Sequence, residues 1–399
     1  MKEFILSNGI SACIKQNKNT PRVALTLNIS INLPEKYAGE YSLMNRLLIK
    51  GTKQYSSEEI SNILDENAIE LYTEMKSDYL RFRFVCLNED FETALSMLSD
   101  IIQNSTFEEF DKEKNKLKGE LTAELDSAKV KVSDLFTKNI YKDHFYGHSY
   151  TKILEEVDNV TKDDVKKGYE KILKTGKKTV ALVGDIEENG LLEKYLGCIL
   201  PSRNNLSEIE VPNPVKQDCV ELIKDDANQA QILQGWHVGT VNDKEYPMLM
   251  LLNIILGASG LSSRLFLELR EKKGLAYTVR TSYETHAKAG VFSIYIGTEP
   301  VNIQTSISGF KEEIEKIKNI PVGEEELRNA KNNLIGKQQF LSETNSQQAN
   351  IMAYYSIMDK GFNYRETVIN MIKNITPEDL MNCARKYFTD DYILAILKP

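Results

Sequence analysis

Arg270 and Tyr277, seven residues apart in "GASGLSSRLFLELREKKGLAYTVRTSYE" (257–284), are the side chains best suited to act on a ligand. A guanidinium is a fixed charge whose planar fork suits carboxylates and carbonyls, and a phenol is a hydrogen-bond donor. Held together, such a pair can bind a peptide carbonyl or a developing oxyanion. The plainer alternative is an intradomain salt bridge beside a packed aromatic ring. Gly257 and Gly260 precede a helix whose apolar face is Leu265, Phe266 and Leu269, with Arg264 and Arg270 extending from it. A GxxG opening a helix can cradle phosphate, but the chain has no GxGxxG and no GK[ST] here, so a nucleotide site is not expected.

The other candidates are carboxylates and histidines. Glu113 and Glu120 in "EKNKLKGE" are two helical turns apart and point the same way; the plainer reading is a solvated charged helix. His144 and His148 lie in the loop-like "DHFYGHSY", with no HExxH around them, and suit a structural or surface role. His237 sits in a strand-like run as a core or edge residue, and His286 at a hairpin tip. The segment "GEYSLMNRLLIKGT" (39–52) reads as a mostly buried helix that, apart from Glu40, carries little chemistry.

The 399 residues suggest two or three domains, with a formal net charge of −8 that argues against nucleic-acid or anionic-membrane partners. The five cysteines are far apart and form no CxxC, which points to buried thiols in a reducing, cytoplasmic compartment. "MKEFILSNGI" reads as a strand entering a turn and not as a signal peptide. No apolar run approaches the length of a membrane span.

Strand patterns in the first half are "EFIL", "SACIK", "RVALTLNISINL" (half-buried, by its alternation), "IELYTEM", "YLRFRFVCL" and "KTVALVGDI". Between them lie helices, including one capped by Ser56 and Glu59, a long charged helix from about 108 to 129, and one from Thr161. After a polar stretch with three prolines at 201–217, the second half repeats the order and ends on "YILAILKP". The predicted domains are thus 1–200 and 218–399, joined by the 201–217 linker. "NVTKDDVKKGYEKI" and "NITPEDLMNCARKYF" begin at Asn159 and Asn374, and "KNKLKGE" and "KNNLIGK" begin at Lys114 and Lys331, so both pairs are offset by nearly the same length of chain. A repeat of that length is a duplicated domain. The fold class is α+β: two homologous domains, each an antiparallel-rich sheet with helices on one face. Their sheet edges could accept an extended peptide as an added strand.

"GLSSRLFLELREKKGLAYTV", together with "LIKGT" followed by "YSSEEI", resembles the insulinase/pitrilysin family of inverted zinc metallopeptidases, nearest to its short bacterial and mitochondrial-processing-peptidase-like branch. The resemblance runs over essentially the whole chain and implies a clamshell half. The family carries H-x-x-E-H on its first helix, just before a Gly-Thr, and a third ligand, a glutamate, further on. In this chain the motif's two histidines fall on Tyr41 and Asn45 and its base on Met44, while the third ligand falls on Glu120, with Glu113 at an accessory acidic position. One carboxylate cannot hold a catalytic zinc, which needs three protein ligands, and no base remains to activate water. The family's Asn-Ala-x-Thr edge-strand pattern is replaced by Tyr72-Thr73-Glu74-Met75.

The family's arginine and tyrosine, by contrast, match Arg270 and Tyr277. The resemblance therefore implies a zinc-free subunit of a heterodimeric metallopeptidase: no cofactor in this chain, zinc in a homologous partner that carries the motif, and a peptide or unfolded polypeptide as substrate. Arg270 and Tyr277 would orient the peptide in trans. The alternative is a structural or peptide-binding scaffold with no part in cleavage.

Overall fold

The computed structural model describes residues 1–187, 190–202 and 209–399; residues 203–208 of the expected linker lie outside it. Compactness divides the chain into two units that differ from a simple cut in chain order. The first comprises 1–120, 153–209 and 339–365, and the second 121–152, 210–338 and 366–399.

The first unit is built on a sheet of β1 (Lys2–Ile5), β2 (Ser11–Gln16), β3 (Arg22–Ser30), β4 (Glu70–Met75), β5 (Tyr79–Leu87) and β6 (Lys178–Gly184), in the order β1-β2-β6-β3-β5-β4. Only β2 and β6 run parallel. The second unit holds β7 (Asp218–Ile223), β8 (Ala230–Val238), β9 (Ala276–Thr285), β10 (Gly290–Thr298) and β11 (Ile393–Lys398), in the order β7-β11-β8-β10-β9. Here β7 and β11 are the parallel pair. From β2 onward the two sheets share one topology, as a duplicated α+β domain requires.

The duplication extends to single bonds. Thr73 Oγ1 donates to the Asn45 carbonyl at 3.1 Å, and Thr281 Oγ1, at the equivalent place in the second unit, donates to the Asn253 carbonyl at 3.0 Å. Thr161 and Asp164 form a capping box at the start of Lys162–Thr175, and Thr376 and Asp379 form the same box before Pro377–Tyr387. Each box satisfies helix N–H groups that have no partner within the helix.

β3 shows how the first unit is layered. Val23, Leu25, Leu27 and Ile29 share a face with Leu80, Phe82, Phe84 and Cys86 of β5. Helices of the chain's own first half cover that face; Phe91 of Phe91–Asn104, for example, packs on Phe84 at 5.9 Å between ring centroids. The opposite face is covered by Asn345–Ile357, a helix from late in the chain. Its Ala349, Met352 and Ala353 pack on Cys13, Ala24, Ala181 and Val183, and Thr26 Oγ1 donates to Asn350 Oδ1 at 2.8 Å. β3 is therefore buried along both faces, not half-buried as its alternation suggests. The second unit mirrors this. Trp236 of β8 and Phe292 of β10 both pack on Phe388 through one face, while Phe136 of the early helix Ala128–Ile140 lies against Gly235 on the other. The two exchanged helices start at Ala128 and Asn345, which is the spacing of the internal repeat. The charged helix expected over 108–129 accordingly ends at Glu124, and Ala128–Ile140 is a separate element.

Of the five cysteines, Cys13, Cys86 and Cys383 are buried, and burial pushes their thiols up to about 12. Cys198 and Cys219 are exposed, against the expectation that all would be buried. Among the described residues no helix is long and apolar enough to cross a membrane.

Candidate functional site

The segment 254–275 places Arg270. Two stretches, Ile254–Ala258 and Phe266–Lys272, are π-helical. Such wide turns are rare and are frequent at functional sites; nothing in the sequence announced them. Gly257 is set by close approach, since a Cβ there would collide with the Thr281 backbone nitrogen. That glycine fits the helix against β9, which accounts for it without a phosphate. Gly274, at φ +63°, ends the second π-helical stretch, and the Leu275 amide donates back to the Leu269 carbonyl at 2.9 Å. The turn feeds directly into β9, the sheet's edge strand, with Tyr277 at its head.

The two arginines of this segment have different fates. Arg264 makes a bidentate pair with Glu326, both contacts at 2.7 Å, so it is the structural salt bridge. Arg270 lies over the rings of Phe266 and Tyr277, its Cζ 4.7 and 4.9 Å from their centroids, and Nη1 donates to the Tyr277 carbonyl at 2.6 Å. Its closest carboxylate contact is Glu271, at 4.0 Å. The guanidinium is thus oriented without being neutralised at close range. Tyr277 is 79% exposed, and its hydroxyl is free to meet a ligand. The pair inferred from spacing is therefore assembled, with the phenol facing solvent.

The positions aligned with the zinc motif sit on Glu40–Leu47. Tyr41 is buried and donates to the Leu33 carbonyl at 2.8 Å; burial raises its phenol's pKa. Met44 is fully buried. The Asn45 side-chain oxygen is buried without a hydrogen-bond partner. Glu113 and Glu120 do lie on one face of Phe110–Glu124, but Glu113 is buried and neither carboxylate is solitary. Arg46, the residue after Asn45, spans them: Nη1 lies 3.6 Å from Glu113, and Nη2 donates to Glu120. Lys50 reaches Glu113 at 3.2 Å and Lys116 reaches Glu120 at 4.0 Å. The Arg46 contact is the main influence holding the Glu120 carboxyl below its usual range.

A zinc ion does not fit this donor set. The carboxylates are already met by cationic side chains, the aligned motif positions offer a buried thioether and a phenol committed to the Leu33 carbonyl, and among the described residues no three His, Cys, Asp or Glu side chains group to hold a metal. Sequence reasoning passed over Arg46 and Lys50. The available signal was their spacing of four, Arg46 in the last turn of the helix and Lys50 just past its end, facing acids spaced seven on another helix.

Three of the four histidines converge in the second unit. Tyr141 lies 5.4 Å from His237 and 5.7 Å from His286, and Tyr146 stacks on His286 at 4.4 Å and meets His144 at 4.7 Å. His144 accepts from the Tyr146 amide at 3.1 Å, and its other ring nitrogen lies 3.0 Å from the Glu210 carbonyl. Burial pushes His237 down to about 4. The group is an aromatic cluster that docks the segment after Ala128–Ile140; His148 stands apart against Phe145 at 5.5 Å.

With this geometry in hand, comparison with known proteins adds the family. Residues 12–157 match the family model described as insulinase (peptidase family M16), and residues 159–334 match the one described as peptidase M16 inactive domain. The chain belongs to peptidase family M16. It is similar to an uncharacterized zinc protease of Bacillus subtilis, 26% identical over 407 residues, covering 100% of this chain and 98% of that protein. A second uncharacterized zinc protease, from Rickettsia felis, is 27% identical, covering 99% of this chain and 96% of the other. Among solved structures, a peptidase M16 inactive domain from Pseudomonas fluorescens matches with a TM-score of 0.88 at 19% identity, covering 100% of this chain and 98% of that one. A protease from Helicobacter pylori matches at 0.86 and 22%, covering 100% and 99%. These structural likenesses bear on the fold alone.

Proposed function

We propose that the chain is the zinc-free subunit of a heterodimeric M16 metallopeptidase. A homologous partner supplies the metal-binding motif, and this chain supplies Arg270 and Tyr277 for the peptide. The observation that carries this reading is the contrast between its two units. Arg46 fills the space between the acids where a metal would be held, while Arg270 is oriented beside an exposed Tyr277. The guanidinium is suited to fix a substrate carbonyl, and the phenol to donate to the oxygen that gains charge as that carbonyl is attacked. The relatives named as zinc proteases support peptide hydrolysis as the activity of the complex. The unpaired cysteines support a reducing, cytoplasmic compartment.

The test is reconstitution with a homologue bearing H-x-x-E-H, followed by steady-state cleavage of an unfolded polypeptide. Arg270→Ala and Tyr277→Phe complexes assemble as wild type, with kcat lowered about 10²-fold or more. Assembly with unchanged kcat in both variants overturns the assignment and favours a scaffold.

A further inference from the structure

A second arginine–tyrosine pair lies in the first unit, on the sheet face opposite the one that carries Leu25 and Phe82. Arg83 of β5 is paired across the strands with Tyr72 of β4 and Thr26 of β3. Its Cζ lies 5.0 Å from the Tyr72 ring centroid. Tyr72 is 48% exposed, and β4 is the sheet's edge, hydrogen-bonded to β5 alone.

The neighbouring arginine shows what is missing. Arg81 donates to Glu74 at 2.9 Å, to the Tyr79 hydroxyl at 2.9 Å and to Asn28 at 3.3 Å, so its charge and all its nitrogens are used. Glu74 is shared further with Lys76 at 2.7 Å, and its carboxyl is held below the usual range. Arg83 has no carboxylate within ion-pair distance among the described residues, and its Nε is buried without a hydrogen-bond partner. Glu70, on the same face of β4, is not within that distance either. Glu74 acts on Arg83 only from beyond ion-pair distance, so this half-buried guanidinium on an aromatic platform, with one nitrogen shut off from water, keeps a desolvation cost that a direct anion contact would offset.

The geometry points to Arg83 and Tyr72 as a subsite for a carboxylate side chain on an extended peptide. A strand laid along the open edge of β4 would lie about 10 Å from β5, two strand spacings. A glutamate on it can reach back over the Tyr72 ring to Arg83, which crosses from the other side. The planar fork favours a carboxylate in bidentate geometry. The site thus selects acidic segments. It rests on the peptide-handling reading above only for the class of ligand, and it requires neither the partner nor cleavage.

The experiment is a fluorescence-anisotropy titration of the full chain with a dansylated Ala/Thr decapeptide holding one central Glu, alongside its Gln twin. The wild-type chain binds the Glu peptide about tenfold more tightly than the twin. Arg83→Gln abolishes the difference, Arg83→Lys keeps part of it, and Tyr72→Leu weakens it, all with unchanged near-ultraviolet dichroism. Equal affinity for the two peptides, no binding of either, or discrimination that survives in Arg83→Gln overturns the subsite. None of these results touches the Arg270 and Tyr277 assignment, which is read from kcat in the complex.

Discussion

Removing the Arg46 guanidinium exposes what it does between Glu113 and Glu120. The Glu113 side chain is only 4% exposed, so losing a partner leaves a carboxylate with little water to replace it. Breaking a fully buried pair costs about 3–5 kcal/mol. Here Lys50 remains at 3.2 Å, and the Glu120 limb is 46% exposed, which adds at most about 1 kcal/mol. The expected cost of Arg46→Met, which keeps the apolar stem, is about 2 kcal/mol. In a unit of roughly 200 residues that lowers its Tm by about 4–8 °C. Calorimetry of Arg46→Met, Glu113→Gln and the double variant gives the coupling directly, and the double variant recovers more than half of the Arg46→Met loss because no buried charge is stranded. A shift below about 1 °C for Arg46→Met, or strictly additive losses, refutes the idea that this arginine fills a cation's place in the fold.

Other outcomes follow from buried groups and close approaches. Burial pushes Glu40 up to about 7, well above the ordinary carboxylate range near 4.3; its proton therefore stabilises the fold, and stability falls by about 3 kcal/mol as pH rises from about 4.5 to 7. Glu40→Gln flattens that slope in pH-dependent denaturant unfolding. His237, depressed by burial to about 4, works in the opposite sense: stability contributed by its neutral form is lost as pH falls from about 6.5 toward 4, and His237→Phe removes that acid sensitivity. Gly257→Ala drives a Cβ into the Thr281 nitrogen and costs about 3 kcal/mol by denaturant titration, whereas Gly260→Ser, which has open space around it but φ +76°, costs about 1 kcal/mol.

Nearly every strand was legible because alternation and β-branched runs mark a pleated surface directly, as in "RVALTLNIS" and "GVFSIYIGT". The capping box at Ser56 is a local pattern and was equally plain. What the pattern hid were the two exchanged helices. "NSQQANIMAYYSI" has no clean apolar stripe, since it meets its sheet through small Ala349 and Ala353 and through Asn350 bonded to Thr26. Ala128–Ile140 went unread beyond the end expected for the charged helix at about 129, with no proline or glycine to mark a break before it. With those helices unseen, β3 looked half-buried. Spacing was enough to pair Arg270 with Tyr277, but the π-helical turn that aims the arginine depends on tertiary packing around Gly257 and Leu269. The ion cluster at Arg46 joins two helices far apart in sequence, and one chain's residue order does not reveal which charges will meet.

The most direct test is the metal content of the isolated chain. Purified without chelator, incubated with excess zinc and exhaustively dialysed, it should retain well under one zinc per chain by elemental analysis, unchanged in Glu120→Gln. One tightly held zinc per chain, lost in Glu120→Gln, would contradict the account.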